Sequence, residues 1–199
     1  EIRIPTSLTT IGANAFDGCV SLAKVDFGLP STLMTIGENA FYKCVLLKEI
    51  AIPKSVTTIK QSAFEECTSL EKVTFNDSQS LNSIGKRAFA SCTSLKQICI
   101  PNSINSIEES VFQGCSSLVD VKLPTSLTSI KVNSFKGCNS LKEIVIPSNC
   151  STIESNVFQN CSSLSKVTIP KSLTNINSSA FPSNIKIIRD NSWFAKYSW

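Results

Sequence analysis

Phenylalanine recurs at positions 16, 41, 64, 89, 112, 135, 158 and 181, at intervals of 25, 23, 25 and then 23 residues. A cysteine stands three positions after each of the first seven, and a leucine three positions after that. The unit reads L-x-x-[IV]-x-[IF]-P-x-S-[LV]-T-x-I-x-x-x-A-F-x-x-C-x-S and fills residues 1–181 of the 199. A period of this length describes one supersecondary unit that cannot bury its apolar side alone. Stacked units share a continuous core, so the period predicts a solenoid.

Within one unit, Leu47 to Pro53, the apolar Ile50 and Ile52 alternate with Glu49 and Ala51, as in a short half-buried strand. Pro53 removes a backbone donor and ends the pairing. Val56 and Ile59 form a second apolar pair, read as a short extended piece on the opposite side. Gln61 to Cys67 suits a single helical turn with Ala63, Phe64 and Cys67 facing inward. Stacking then predicts parallel strands about 4.8 Å apart on one face.

The S-L-x-x-[IV]-x-[IF]-P and S-I-x-x-x-A-F-x-x-C segments resemble the BspA-like leucine-rich repeat family, found on bacterial surfaces and expanded in parasitic protists. The resemblance implies an α/β repeat solenoid: a right-handed superhelix with a parallel β-sheet on the concave face and short strands and helical turns on the convex face. It implies no enzymatic activity, and family members act by binding, as adhesins or interaction scaffolds.

Two repeats are two residues longer, at Asp26 to Thr32 and Thr74 to Ser80, and both insertions are expected to bulge from one edge. After Phe181 the pattern breaks. Residues 182–199 read as a last strand around Ile185, Ile187 and Ile188, followed by an aromatic cap of Trp193, Phe194, Tyr197 and Trp199 over the end of the core. The chain opens inside a repeat, at Glu1-Ile2-Arg3-Ile4-Pro5, so a fragment or processed product is expected and missing targeting signals carry little weight.

Composition narrows the chemistry. The chain has no histidine, which removes Ser-His-Asp and Cys-His arrangements. Its seven glycines write no phosphate-binding loop. The carboxylate pairs Glu65-Glu66 and Glu108-Glu109 are expected on a solvated face. The net charge of +4 comes from scattered lysines, without the basic stripe that nucleic acid needs, and no apolar run approaches the roughly 18 residues of a membrane span. An enzyme and a cofactor are therefore not expected. Nine cysteines, seven of them in the column after Phe, raise a disulfide ladder, a zinc site or a catalytic thiol. Without His or C-x2-C pairs, the favoured reading is a column of small hydrophobic thiols. Cys150 takes an inward position and Cys99 an outward one, so eight buried free thiols are expected, which leans towards a reducing, cytoplasmic compartment. Four N-x-[ST] sequons, at Asn76, Asn149, Asn160 and Asn177, matter only for a secreted chain.

Binding is expected on the outward rows of the strand face. One row carries Lys24, Glu49, Lys72, Gln97, Asp120, Glu143 and Lys166; the other carries Arg3, Asp26, Ala51, Thr74, Cys99, Lys122, Val145 and Thr168. The candidate contact residues are Arg3, Lys24, Asp26, Glu49, Lys72, Thr74, Gln97, Asp120, Lys122, Glu143 and Lys166. Opposite charges on neighbouring strands (Lys24, Glu49, Lys72; Arg3, Asp26) suggest ion-pair ladders. Neither row has an aromatic anchor, so a partner must be charge-complementary or engage the edges. Lys72-Val73-Thr74-Phe75, with a sister at Lys24 to Phe27, resembles the tetrapeptide by which regulators dock on protein phosphatase 1, where Val and Phe fill pockets and the peptide adds a strand to the phosphatase sheet. In the repeat register, however, Val73 and Phe75 are core positions. Two functions follow: an intracellular regulatory scaffold that docks a protein phosphatase, or a surface adhesin that binds host or matrix proteins.

Overall fold

The computed structural model describes residues 1–76 and 80–190. The expected aromatic cap at 193–199 lies outside them. Two strands are laid down per repeat. The longer ones are β1 (Ile2–Arg3), β3 (Val25–Asp26), β5 (Glu49–Ile52), β7 (Lys72–Phe75), β9 (Gln97–Cys99), β11 (Asp120–Lys122), β13 (Glu143–Val145), β15 (Lys166–Ile169) and β17 (Lys186–Arg189). The two-residue ones are β2 (Thr10–Ile11), β4 (Thr35–Ile36), β6 (Thr58–Ile59), β8 (Ser83–Ile84), β10 (Ser106–Ile107), β12 (Ser129–Ile130), β14 (Thr152–Ile153) and β16 (Asn175–Ile176). All pairings are parallel and equivalent repeat positions face each other, as in Glu49↔Lys72 through Ile52↔Phe75 and Ile130↔Ile153.

The long strands form three ladders rather than one sheet: β1-β3, β5-β7-β9-β11 and β13-β15-β17. The first break falls where the longer second repeat leaves the strand path. Gly28 turns the chain at φ 63°, and its N–H donates to Asp26 Oδ1 at 2.8 Å. Glycine is required there, because a Cβ would sit 2.7 Å from Thr6 Cγ2 and positive φ disfavours other residues.

The expected helical turn is absent: no α-helix occurs among the described residues. In coil two, the N–H groups of Asn39, Phe41 and Lys43 donate to the carbonyls of Gln61, Ala63 and Glu65 in the next coil, at 3.0, 2.8 and 2.9 Å. The intervening Tyr42 and Cys44 donate three residues back, to Asn39 and Phe41. Half of the donors thus point along the stack. The backbone achieves this with left-handed residues two positions before and two after each file phenylalanine from Phe16 to Phe158, such as Asn39 and Lys43 at φ 51° and 56°, and Arg87 and Ser91 at 57° and 58°. An α-helix cannot contain them. Ser91 sits in the column that holds Gly18, Gly114 and Gly137 in other coils. Ser91→Gly should therefore stabilise the fold by about 0.5–1 kcal/mol, read as a higher urea midpoint; a lower midpoint would show that the backbone conformation is not what limits that position.

The core is a set of files running the length of the stack. Phe41, Phe64, Phe89, Phe112, Phe135 and Phe158 have no exposed surface, and successive rings stack at 5.1 to 5.9 Å between centroids. Such offset stacks add attraction beyond burial. The cysteine file lies beside them, and its thiols do more than fill space. Cys44, Cys67, Cys92, Cys115, Cys138 and Cys161 each donate S–H to the carbonyl of the phenylalanine one coil earlier, at 3.1–3.3 Å. In β17 the strand position that is apolar in the preceding strands holds Arg189, the register partner of Ile169. Its guanidinium reaches the Leu173 carbonyl at 3.1 Å.

Candidate functional site

Side chains alternate across each long strand, so the outward rows share one face: Glu49 and Ala51 are exposed while Ile50 and Ile52 are buried. Two depressions hollow this face. The larger, about 550 Å³, is lined by Lys24, Asp26, Leu29, Glu49, Ala51, Lys72, Thr74 and Asn76, among others. The smaller, about 220 Å³, is lined by Lys72, Gln97, Cys99, Asp120 and Lys122, with the Val73 and Ile98 backbone beneath. Most of the candidate contact residues thus meet in two adjoining hollows. Glu143 and Lys166 lie further along, and Arg3 at the opposite end.

The charges are divided between paired and unpaired groups. Lys24 is bound to Glu1 at 3.1 Å, Arg3 approaches Asp26 at 3.7 Å, and Lys166 meets Glu143 at 3.0 Å. The expected Lys24–Glu49–Lys72 ladder does not form. Among the described residues, Glu49, Lys72, Asp120 and Lys122 make no ion pair. Exposed pairs contribute little to stability. Their effect here is to neutralise the ends of the face and leave its centre with uncommitted charges.

The tetrapeptide Lys72 to Phe75 is β7 itself. One edge is taken by β5 through four residue pairs, and the other pairs with β9 at Lys72↔Gln97, so the strand sits inside its ladder. Val73 is buried. Phe75 packs against the core but is only half-buried, a correction to the expected core ring. Its sister Phe27 is buried.

The acidic pairs on the turn side are also not a uniformly solvated face. Glu65 is 6% exposed and accepts from Arg87 Nε at 2.9 Å, because the next coil folds that guanidinium over it. Glu66 accepts from the Tyr42 hydroxyl at 2.9 Å. Both serve the stack. No cluster of three or more His, Cys, Asp or Glu side chains placed to hold a metal occurs among the described residues, nor does any helix long and apolar enough to cross a membrane.

All nine cysteines are free, seven buried and two, Cys19 and Cys99, exposed. Cys19 departs from the expected eight buried thiols, since among the described residues no earlier coil covers it. Burial pushes Cys44 and Cys115 up to about 12 and Cys150 and Cys161 up to about 11. Reaction needs the thiolate. At neutral pH an aromatic disulfide reagent should therefore label Cys19 and Cys99 quickly and the other seven only on unfolding; a third fast site would place a buried thiol wrongly. The functional residue that sequence reading passed over is Leu29, 88% exposed at the lip of the larger hollow. Its signal was an aliphatic side chain between Gly28 and Pro30 in an inserted loop.

With this geometry, the chain matches the family described as "BspA type Leucine rich repeat region (6 copies)" over residues 1–82 and 76–188. No curated protein matches it. Three solved structures are similar. A leucine-rich repeat protein from Bacteroides ovatus is 28% identical with a TM-score of 0.72, over 95% of this chain and 56% of that one. The T. pallidum leucine-rich repeat protein is 32% identical with a TM-score of 0.73, over 82% of this chain and 77% of that one. A leucine-rich repeat protein from Eubacterium ventriosum is 29% identical with a TM-score of 0.71, over 88% and 44%. The chain thus spans about half the length of the Bacteroides and Eubacterium proteins.

Proposed function

The chain belongs to the BspA-type leucine-rich repeat family, and from that premise we propose that it is a non-enzymatic protein-interaction module whose partner binds the outward face of the long strands. The observation that carries this reading is the uncommitted charge at the centre of that face. Glu49, Lys72, Asp120 and Lys122 are exposed around two hollows, on a rigid scaffold whose flanking charges already have partners. A surface with unpaired, preplaced charges loses little order on binding and discriminates by charge complementarity.

Docking of protein phosphatase 1 through Lys72 to Phe75 is not carried forward, because Val73 is buried in the core and the strand lies between β5 and β9 in its ladder. The seven buried, unpaired thiols support a reducing compartment and hence a scaffold inside the cell; the adhesin setting is supported by the family resemblance and the four sequons. Peptides selected from a random phage-displayed library on the folded chain test the proposal. They should bind the Lys72→Glu/Lys122→Glu variant at least about tenfold more weakly, or roughly 1.4 kcal/mol, with circular dichroism unchanged. Binders indifferent to both charge reversals would sink the strand-face reading.

A further inference from the structure

The two hollows on the strand face are not equivalent. The larger is bounded at one end by the loop of the longer second repeat and reaches Asn76, where the longer fourth repeat begins its loop. Its floor is Ala51 and Thr74, the small side chains of β5 and β7, in a row that elsewhere carries Arg3, Asp26 and Lys122. Its lip is Leu29, whose side chain is 88% exposed. A loop tip that places a branched aliphatic group in water beside a trough supplies apolar contact area to whatever enters the trough.

Charge defines the occupant further. Glu49 and Lys72 are register partners on neighbouring strands, yet they form no ion pair among the described residues. The equivalent partners Glu143 and Lys166 close to 3.0 Å. The other two charges beside the trough are already engaged, Lys24 by Glu1 and Asp26 by both Arg3 and the Gly28 N–H. The trough therefore presents one carboxylate, one ammonium and one aliphatic group.

We infer that this trough is the specificity-determining subsite of the strand face, and that it takes an extended protein segment carrying an acidic, a basic and an aliphatic side chain in that order. The inference rests on the strand-face reading above. In an extended segment alternate side chains face the same way, roughly 6.6 Å apart, which suits the step of about 4.8 Å from Lys72 to its register partner Glu49. The recognised sequence is thus acidic-x-basic-x-aliphatic, in either direction, with the acid on Lys72, the base on Glu49 and the aliphatic group beside Ala51 against Leu29. Reversal of either partner charge brings like charges together, which is how such a site rejects wrong segments.

The test uses the display-selected peptides and two variants of the folded chain. Leu29→Ser/Ala51→Arg removes the lip and fills the floor; both positions are exposed, and Arg3 shows that the row tolerates arginine. Cys99→Arg/Lys122→Glu alters only the smaller hollow. The expected result is a selection enriched in the acidic-x-basic-x-aliphatic pattern whose members bind the first variant at least about tenfold more weakly and the second within about twofold of wild type. Peptides weakened only by the second variant would overturn the subsite and leave the strand face standing. Peptides indifferent to both, or no binders at all, would overturn both readings.

Discussion

Raising the pH from 8 to 10 in the presence of a reductant should unfold the solenoid. Burial raises the thiols of Cys44, Cys67, Cys92, Cys115, Cys138, Cys150 and Cys161, with Cys44 and Cys115 reaching about 12. In the unfolded chain the same groups titrate near ~8.5. Above that pH the unfolded state releases protons that the folded state retains, so the equilibrium shifts towards unfolding as pH rises. Each thiol removes about 1.4 kcal/mol per pH unit until its folded value is reached. By pH ~9.5 to 10, seven such groups remove on the order of 10 kcal/mol, comparable with the whole stability of a domain. Stability from urea melts at half-unit steps would show it. The Cys92→Ala/Cys138→Ala variant should lower the slope by nearly 3 kcal/mol per pH unit, or about 1.4 for each thiol. Stability that is flat between pH 8 and 10 would mean that the thiols are not buried as described.

Phe89→Ala should cost about 3–5 kcal/mol, the range for removing a fully enclosed ring. Phe89 has no exposed surface and lies between Phe64 at 5.3 Å and Phe112 at 5.9 Å, nearly parallel to both. Its loss opens a cavity in mid-stack and removes two ring contacts at once. Because each coil touches only its neighbours, that defect also weakens the coupling between the halves of the array. Phe181 is the control: it is half-buried and stacks on Phe158 at 5.4 Å. Phe181→Ala should cost less than half as much. Equal effects at the two positions would show that the files do not behave as a stack.

Much of this architecture was written in the sequence because one rule repeats. The repeat interval placed eight phenylalanines and the seven cysteines and seven leucines that follow them in files, and alternation within Glu49 to Ile52 told inward from outward residues. The same alternation puts the two rows on one strand face, while the pairing of their charges was not legible. Lys24 lies between Glu1 and Glu49 in the stack and pairs with Glu1, a choice made by side-chain geometry that spacing does not encode. The helical turn failed for a different reason. Lys43, Glu66 and Arg87 hold left-handed conformations that their residue types do not favour; hydrogen bonding to the next coil imposes them. Glu65 looked solvated because its partner Arg87 lies 22 residues away.

The sequence by itself determined the repeat, the composition of each file and the absence of histidine chemistry, since all of these depend on residue type and interval. Only the tertiary structure decided the turn conformation, which thiols are sealed from water, which charges cancel, and that Leu29, Ala51, Glu49 and Lys72 border one trough. Those outcomes arise between coils, where backbone groups and side chains 22 to 28 residues apart compete for the same partners. Local propensity does not reach that far, and the stack settles the competition.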